Sequence, residues 1–307
     1  MNGRKFLGMV VASSVLAVAS YALDLPANKI VDAKWLKKNM GDKSLVIVDI
    51  RENGKLYKKT HIPGAVRWNV GDFREIRFKE VVGYLPSPLS FTRLMNKSGI
   101  TKDSKVVFYS DGTKDGNYAV AGLGIYVAEY YGFKNTALLN GGFAGWEKAG
   151  FAVDGNKVKV AKSNWKITQM NTQNYASIAD IDKAVELKKT QLVDARPIFL
   201  ANGSKKHPRA KRAGHLPGAK HLFAGSFTKV DGNIVSLDAT KAKELIKKAN
   251  IDPSKPVIWY CDSSWNASAA WFASKYLAGL DNAKVYDGSM IEYTRTPKRK
   301  LIKGDFK

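Results

Sequence analysis

Cys261 is the only cysteine in the 307 residues, and the one side chain able to act as a soft nucleophile. It closes the run Val257-Ile258-Trp259-Tyr260 and opens Asp262-Ser263-Ser264-Trp265-Asn266. A buried strand that passes through a tight loop into a helix can turn successive backbone N–H groups toward an anion. A thiol in such a nest meets positive potential, which is expected to lower its pKa toward the thiolate. The thiolate would attack an electrophile, and the same amides would stabilise a persulfide anion formed on it. A free cysteine is more ordinarily a small buried hydrophobe, so its surroundings must decide between the two.

Those surroundings follow a repeated plan. Val48-Asp49-Ile50-Arg51 matches Val193-Asp194-Ala195-Arg196, and His61-Ile62-Pro63-Gly64-Ala65 matches His215-Leu216-Pro217-Gly218-Ala219. Val106 to Asp111 matches Val257 to Asp262, and Asn140-Gly141-Gly142 matches Asp287-Gly288-Ser289. Four blocks in one order make the chain a duplicated domain. Short β-branched runs at Leu45–Ile50, Lys105–Tyr109, Gln191–Ala195 and Pro256–Tyr260 predict buried strands. Helices are expected at Tyr118–Tyr131, Thr240–Ala249 and Ala267–Tyr276. The alternation predicts an α/β fold: in each half a mostly parallel sheet with helices on both faces. Ligands of such sheets bind outside the carboxyl ends of the strands, where Cys261 falls.

The duplication, the paired Asp-x-Arg strand ends, the two His-[Ile/Leu]-Pro-Gly-Ala blocks and the Tyr-Cys loop resemble the tandem rhodanese-type sulfurtransferases. The resemblance extends from about Ala27 to Tyr293. It implies two rhodanese-like domains, the second bearing a persulfide-forming cysteine and the first having lost it. Ser110 stands where that cysteine would be, and a hydroxyl cannot carry sulfur. By resemblance Cys261 is the nucleophile, and Asp262, Ser263, Ser264, Trp265 and Asn266 form the active-site loop. Arg196 is a candidate for holding an anionic donor, with an ion pair to Asp194 as the alternative. The basic insert Lys205, Lys206, Arg209, Lys211 and Arg212 has no counterpart of that length in the first half. It makes Arg209 and Arg212 further candidates, against a merely solvated loop. His61 and His215 are expected to be turn residues before Pro-Gly.

The loop departs from the family. Thiosulfate-using members typically carry basic residues after the cysteine, and many have glycine at the position of Ser264. Asp262 here opposes thiolate formation and repels a dianion. A left-handed backbone would also be costly at Ser264. Thiosulfate is thus not the expected natural donor. Trp265 could wall a less charged donor, or could belong to the core. A phosphatase loop of the form Cys-x5-Arg would need arginine at Ala267 or Ser268 and lacks it. A non-catalytic persulfide carrier or anion-binding protein is the competing reading.

Domain boundaries are expected at 23–154 and 165–307, with a linker at 155–164. Residues 1–22 read as a signal peptide: Arg4 and Lys5, an apolar run from Phe6 to Ala19, and small residues before a cut after Ala22 or Ala19. The run is short for a membrane span, although an uncleaved anchor is the alternative. The expectation is an exported, periplasmic protein without stable membrane insertion after cleavage. Its partners would be a small sulfur-containing donor and a thiol or cyanide acceptor, or an acceptor protein. The net charge of +23 favours anionic partners, and export argues against nucleic acid. Four histidines and one cysteine are too few for a convincing metal cluster, so no metal and no cofactor are expected.

Overall fold

The structure is a computed structural model that describes residues 23–77, 81–114 and 118–306. The expected signal peptide lies outside the described residues. No helix among the described residues is long and apolar enough to cross a membrane.

In chain order the first half supplies β1 (Ile30–Val31), β2 (Leu45–Asp49), β3 (Val66–Arg67), a hairpin of β4 (Glu75–Arg77) and β5 (Val81–Tyr84), then β6 (Lys105–Tyr109) and β7 (Thr136–Leu139). The second half supplies β8 (Tyr175–Ala176), β9 (Gln191–Asp194), β10 (Lys220–His221), a hairpin of β11 (Thr228–Asp231) and β12 (Ile234–Leu237), then β13 (Val257–Tyr260) and β14 (Ala283–Tyr286). The two large sheets have the orders β1-β7-β6-β2-β3 and β8-β14-β13-β9-β10, which is one topology used twice. Every pairing within them is parallel. The expected α/β architecture, a parallel sheet with helices in each half, is thus present.

Strand alternation sorts the core. One side of β2, β6, β9 and β13 contributes Val48, Phe108, Val193 and Trp259 to a single core running through both halves. The opposite sides build two smaller cores, one with Ile47, Val107 and Trp146 and the other with Leu192, Ile258 and Ile181. Both faces of each sheet are therefore covered, which explains why the strands read as continuous apolar runs.

The helices Tyr118–Tyr130 and Trp265–Tyr276 follow the equivalent strands β6 and β13 and pack against each other at the centre. Small residues permit the approach: a Cβ at Gly122 would lie 3.2 Å from the Ala269 Cα. Beside them the Tyr126 and Trp271 rings meet edge to face with centroids 5.5 Å apart. Each hairpin reaches over to the other half. Val235 N–H donates to Gly112 O at 2.8 Å, and Leu85 N–H donates to Asp287 Oδ2 at 2.8 Å. The carboxyl ends of the two sheets are consequently each covered by the other domain.

Candidate active site around Cys261

Cys261 follows β13 and is 3 % exposed. Its N–H donates to Ser289 Oγ at 3.1 Å, its carbonyl accepts from Met290 N–H at 2.9 Å, and both ends of the residue are thereby fixed. Ser289 Oγ also accepts from the Ser264 N–H at 3.2 Å and donates to Tyr286 O at 2.8 Å. One hydroxyl thus ties the start of the loop to its end.

The loop is shorter than expected. The helix begins at Trp265, not Ala267, with Ser264 as its N-cap. Trp265 and Asn266 therefore belong to the first helical turn, where backbone N–H groups have no intrahelical acceptor. The N–H groups of Ala267, Ser263 and Asn266 lie near enough to the sulfur to favour its thiolate. The anticipated amide cradle exists, and it is a helix N-terminus entered through a sharp turn.

Its effect on the thiol differs from expectation. Burial pushes the Cys261 thiol up to about 11, and the Asp262 carboxylate adds to this, while the three amides pull down with less force. Desolvating a thiolate costs more than these N–H dipoles return. The expectation of a lowered pKa is overturned.

Asp262 is itself buried and faces Arg196, with Nη1 3.4 Å from Oδ1. Burial raises its carboxyl, with the Arg196 and His207 charges pulling the other way. Ser263 is partly exposed at the rim. Trp265 is half-buried against the shared core, and its indole Nε1 is buried without a hydrogen-bond partner among the described residues. It therefore belongs in part to the core and in part to the rim.

The arginine candidates separate. Arg196 spends its fork on Asp194, at 2.9 and 2.6 Å, and on Gly214 O at 2.8 Å. Arg51 does the same in the first half, pairing with Asp49 and Thr60 O. An arrangement retained in the half without a cysteine fits a scaffold role. Arg212 donates to the carbonyls of Thr294, Thr296 and Arg299, stapling the chain beyond the last helix. Arg196 is thus found in the ion pair that was its alternative, and Arg212 bonds three backbone carbonyls. Arg209 is exposed on the insert, where its N–H donates to His207 Nδ1 at 3.2 Å. His61 and His215 are buried with Nδ1 bonded to Tyr57 O and Ala201 O, as turn residues should be.

Ser264 adopts φ +62°, the left-handed region anticipated for a glycine position. Its hydroxyl accepts from Arg74 Nη2 at 2.5 Å and lies 3.2 Å from Asp287 Oδ1. The same Arg74 nitrogen donates to Asp287 Oδ1 at 3.0 Å. Arg74 comes from the first domain, immediately after the short helix Val70–Phe73, which Phe73 anchors in the core. Sequence reasoning missed Arg74, Asp287, Ser289 and His207. One signal was available: the repeat aligns Asp287 with Asn140, so a charge appears on the cysteine side only.

A sequence model of the Rhodanese-like domain matches residues 32–149 and 177–296. The chain belongs to the rhodanese-like family, with two domains in tandem. It is 28% identical over 285 residues to a sulfur carrier protein of Thermus thermophilus, covering 90% of this chain and 97% of that one. It is also 28% identical over 287 residues to a thiosulfate sulfurtransferase of Corynebacterium glutamicum, covering 90% and 91%. Among solved structures, an anaerobic ergothioneine biosynthesis enzyme from Chlorobium limicola superposes with a TM-score of 0.77 at 21% identity, over 91% of this chain and 71% of that one. At that identity the likeness concerns the fold.

Proposed function

We propose that the protein is a sulfurtransferase that moves sulfane sulfur through a persulfide on Cys261. The observation carrying this reading is the direction of the Ser263, Asn266 and Ala267 amides toward the sulfur at a strand end. In the first step the Cys261 thiolate attacks the outer sulfur of the donor. A bond forms between Sγ and that sulfur, the donor's own S–S bond breaks, and the electron pair leaves on the donor remainder, a thiolate or sulfite. The thiol proton goes to the leaving thiolate or to solvent. The resulting Cys–S–S⁻ carries its charge on the outer sulfur, where the amides can stabilise it. An acceptor nucleophile, a thiolate or cyanide, then takes that sulfur and returns the Cys261 thiolate.

A persulfide or polysulfide is the proposed donor in preference to thiosulfate. Asp262 adjoins the nucleophile, and Arg196 is already paired, so the charge available to a dianion at this spot is small. The export expected from residues 1–22 would place the reaction outside the cytoplasm. Whole-protein mass spectrometry after exposure to each donor tests the core of this reading. A one-sulfur adduct on the wild type, absent from Cys261→Ser, supports it, and an adduct on both proteins overturns it.

A carrier without efficient turnover is favoured by one observation, the burial that pushes the thiol further up and so lowers the share of reactive thiolate. Sustained turnover with a small thiol acceptor separates the two. A single stoichiometric transfer would indicate the carrier.

A further inference from the structure

Arg74 is a buried charge, and it lies in the domain that has no cysteine. Its side chain is 6% exposed, and it reaches across the interface to Ser264 Oγ and Asp287 Oδ1. Nε and Nη1 are buried without hydrogen-bond partners among the described residues. Burying a guanidinium with two unmet donors is unfavourable, so packing stability alone gives a poor account of it.

The other half supplies the control. There the residue equivalent to Arg74 is Thr228, whose hydroxyl turns back to Gly225 O. The residue equivalent to Asp287 is Asn140. Its amide pairs with the Leu237 backbone in both directions, at 2.7 and 3.0 Å. A neutral amide therefore suffices to join a hairpin to the opposite loop. The ion pair has been added on the side where the sulfur is.

We propose that Arg74 is a positioning residue for Cys261, acting by holding Ser264 in its left-handed conformation. The proposal rests on Cys261 being the reactive sulfur. Ser264 is the N-cap of the helix whose first N–H groups face Sγ, so its φ and ψ aim the Asn266 and Ala267 amides. A non-glycine residue resists that conformation. Its hydroxyl is gripped by Arg74, and Asp287 holds Arg74 and the Leu85 N–H together. Release of the grip lets Ser264 relax and turns the amides away from the sulfur.

The test uses the full chain and reads the iodoacetamide alkylation rate of Cys261 against pH, which needs no sulfur donor. Arg74→Met alone strands the Asp287 charge, so the principal variant is Arg74→Met with Asp287→Asn, copying the neutral pairing at Asn140. The expected result is a several-fold slower alkylation at pH 8 and a pH profile displaced upward, with Tm close to wild type. Adding Ser264→Gly to this variant should restore the rate, because glycine holds a positive φ unaided. Adding Ser264→Ala should not. An unchanged profile in the double variant overturns the proposal, as does equal recovery with glycine and alanine. Should the double variant melt far below wild type, Ser264→Gly decides within that protein, since a merely structural loss is not repaired at one backbone position. Failure of persulfide loading with a normal alkylation response would count against the sulfurtransferase reading and leave the role of Arg74 intact.

Discussion

After Tyr109 the first half runs Ser110-Asp111-Gly112, and after Tyr260 the second runs Cys261-Asp262-Ser263. The backbone is held alike in both. Ser110 O and Asp111 O accept from the N–H groups of Phe143 and Ala144, as Cys261 O and Asp262 O accept from Met290 and Ile291. Upstream, Asp49, Arg51 and Tyr109 repeat the contacts of Asp194, Arg196 and Tyr260, down to the tyrosine hydroxyl that accepts an N–H from the His-x-Pro-Gly turn. The backbone paths diverge at the third residue. Gly112 (φ +75°) is wedged against Gly141, where a Cβ would come within 2.0 Å of a carbonyl oxygen. Ser263 instead leads to Ser264, the cross-domain arginine and the helix N-terminus. Features shared by both halves fit a scaffold role, and the proposed chemistry is assigned to what only the second half has.

The most severe test of that comparison removes its main term. Cys261→Ser should lose all covalent sulfur loading, to background in mass spectra, because no other thiol exists. Residual loading would mean that the halves differ in something other than the sulfur.

The next contrast is between Asp287→Ala and Asn140→Ala. The first leaves the buried Arg74 without its carboxylate and should cost about 3–5 kcal/mol in denaturant unfolding. The second removes a neutral pair and should cost about 1–3 kcal/mol. Equal losses would show that the charged contact is nothing more than the neutral one.

Thiol titration gives a third contrast. The folded thiol sits at about 11 against an ordinary 9.0, so the native state holds its proton more tightly than the unfolded chain. That stabilisation is complete below pH 9 and is lost as pH rises from 9 to about 11. Two pH units correspond to about 2–3 kcal/mol. Wild type should lose that much more stability across this window than Cys261→Ser, and its alkylation rate should climb about tenfold per pH unit below 11. A rate already level at pH 8 would place the thiol low and restore the view of a cradle that wins over burial.

Much of this was legible from residues. The four strands at Leu45, Lys105, Gln191 and Val257 announced themselves as β-branched runs, because a sheet buried on both faces has no polar alternation to obscure them. The blocks around Asp49 and Asp194 disclosed the duplication, and the strand-end rule located Cys261. The helix start was misread by two residues, because Ser264 caps it by conformation, without a side-chain hydrogen bond to the helix. The thiol's direction was misjudged because a nest of amides can be read from a sequence, whereas the burial that opposes it arises from packing of distant segments. Arg74 was invisible for the same reason, standing 190 positions from Ser264 in the chain.

Charge beside the sulfur should have a moderate effect. Asp262→Asn keeps the side chain's shape and removes the carboxylate that raises the thiol. At an effective dielectric near 20, two charges ~4 Å apart interact by about 4 kcal/mol. The Arg196 guanidinium, shared with Asp194, offsets part of this field. Thiosulfate kcat/KM should rise about three- to tenfold, or about 1 kcal/mol, and more at low salt. A persulfide donor should gain less. No change with either donor would remove Asp262 as the selectivity element.

The smallest effect belongs to Ser110, where the comparison predicts nearly nothing. Its backbone carbonyl has a definite duty, accepting the Phe143 N–H at 2.8 Å, and a Cβ at Gly142 would lie 2.5 Å from the same oxygen. Its hydroxyl has none that sulfur transfer requires, since an alcohol is neither an effective thiophile nor a leaving group at neutral pH. Ser110→Ala retains the Cβ, the backbone and the burial, so both the Phe143 contact and the helix Tyr118–Tyr130 should stay in place. Sulfur-transfer kcat/KM should remain within about 1.5-fold of wild type, a barrier change below about 0.3 kcal/mol, with Tm almost unmoved. If kcat/KM falls by tenfold while Tm holds, Ser110 takes part in the chemistry. The first domain would then contribute through its vestigial strand end as well as through Arg74.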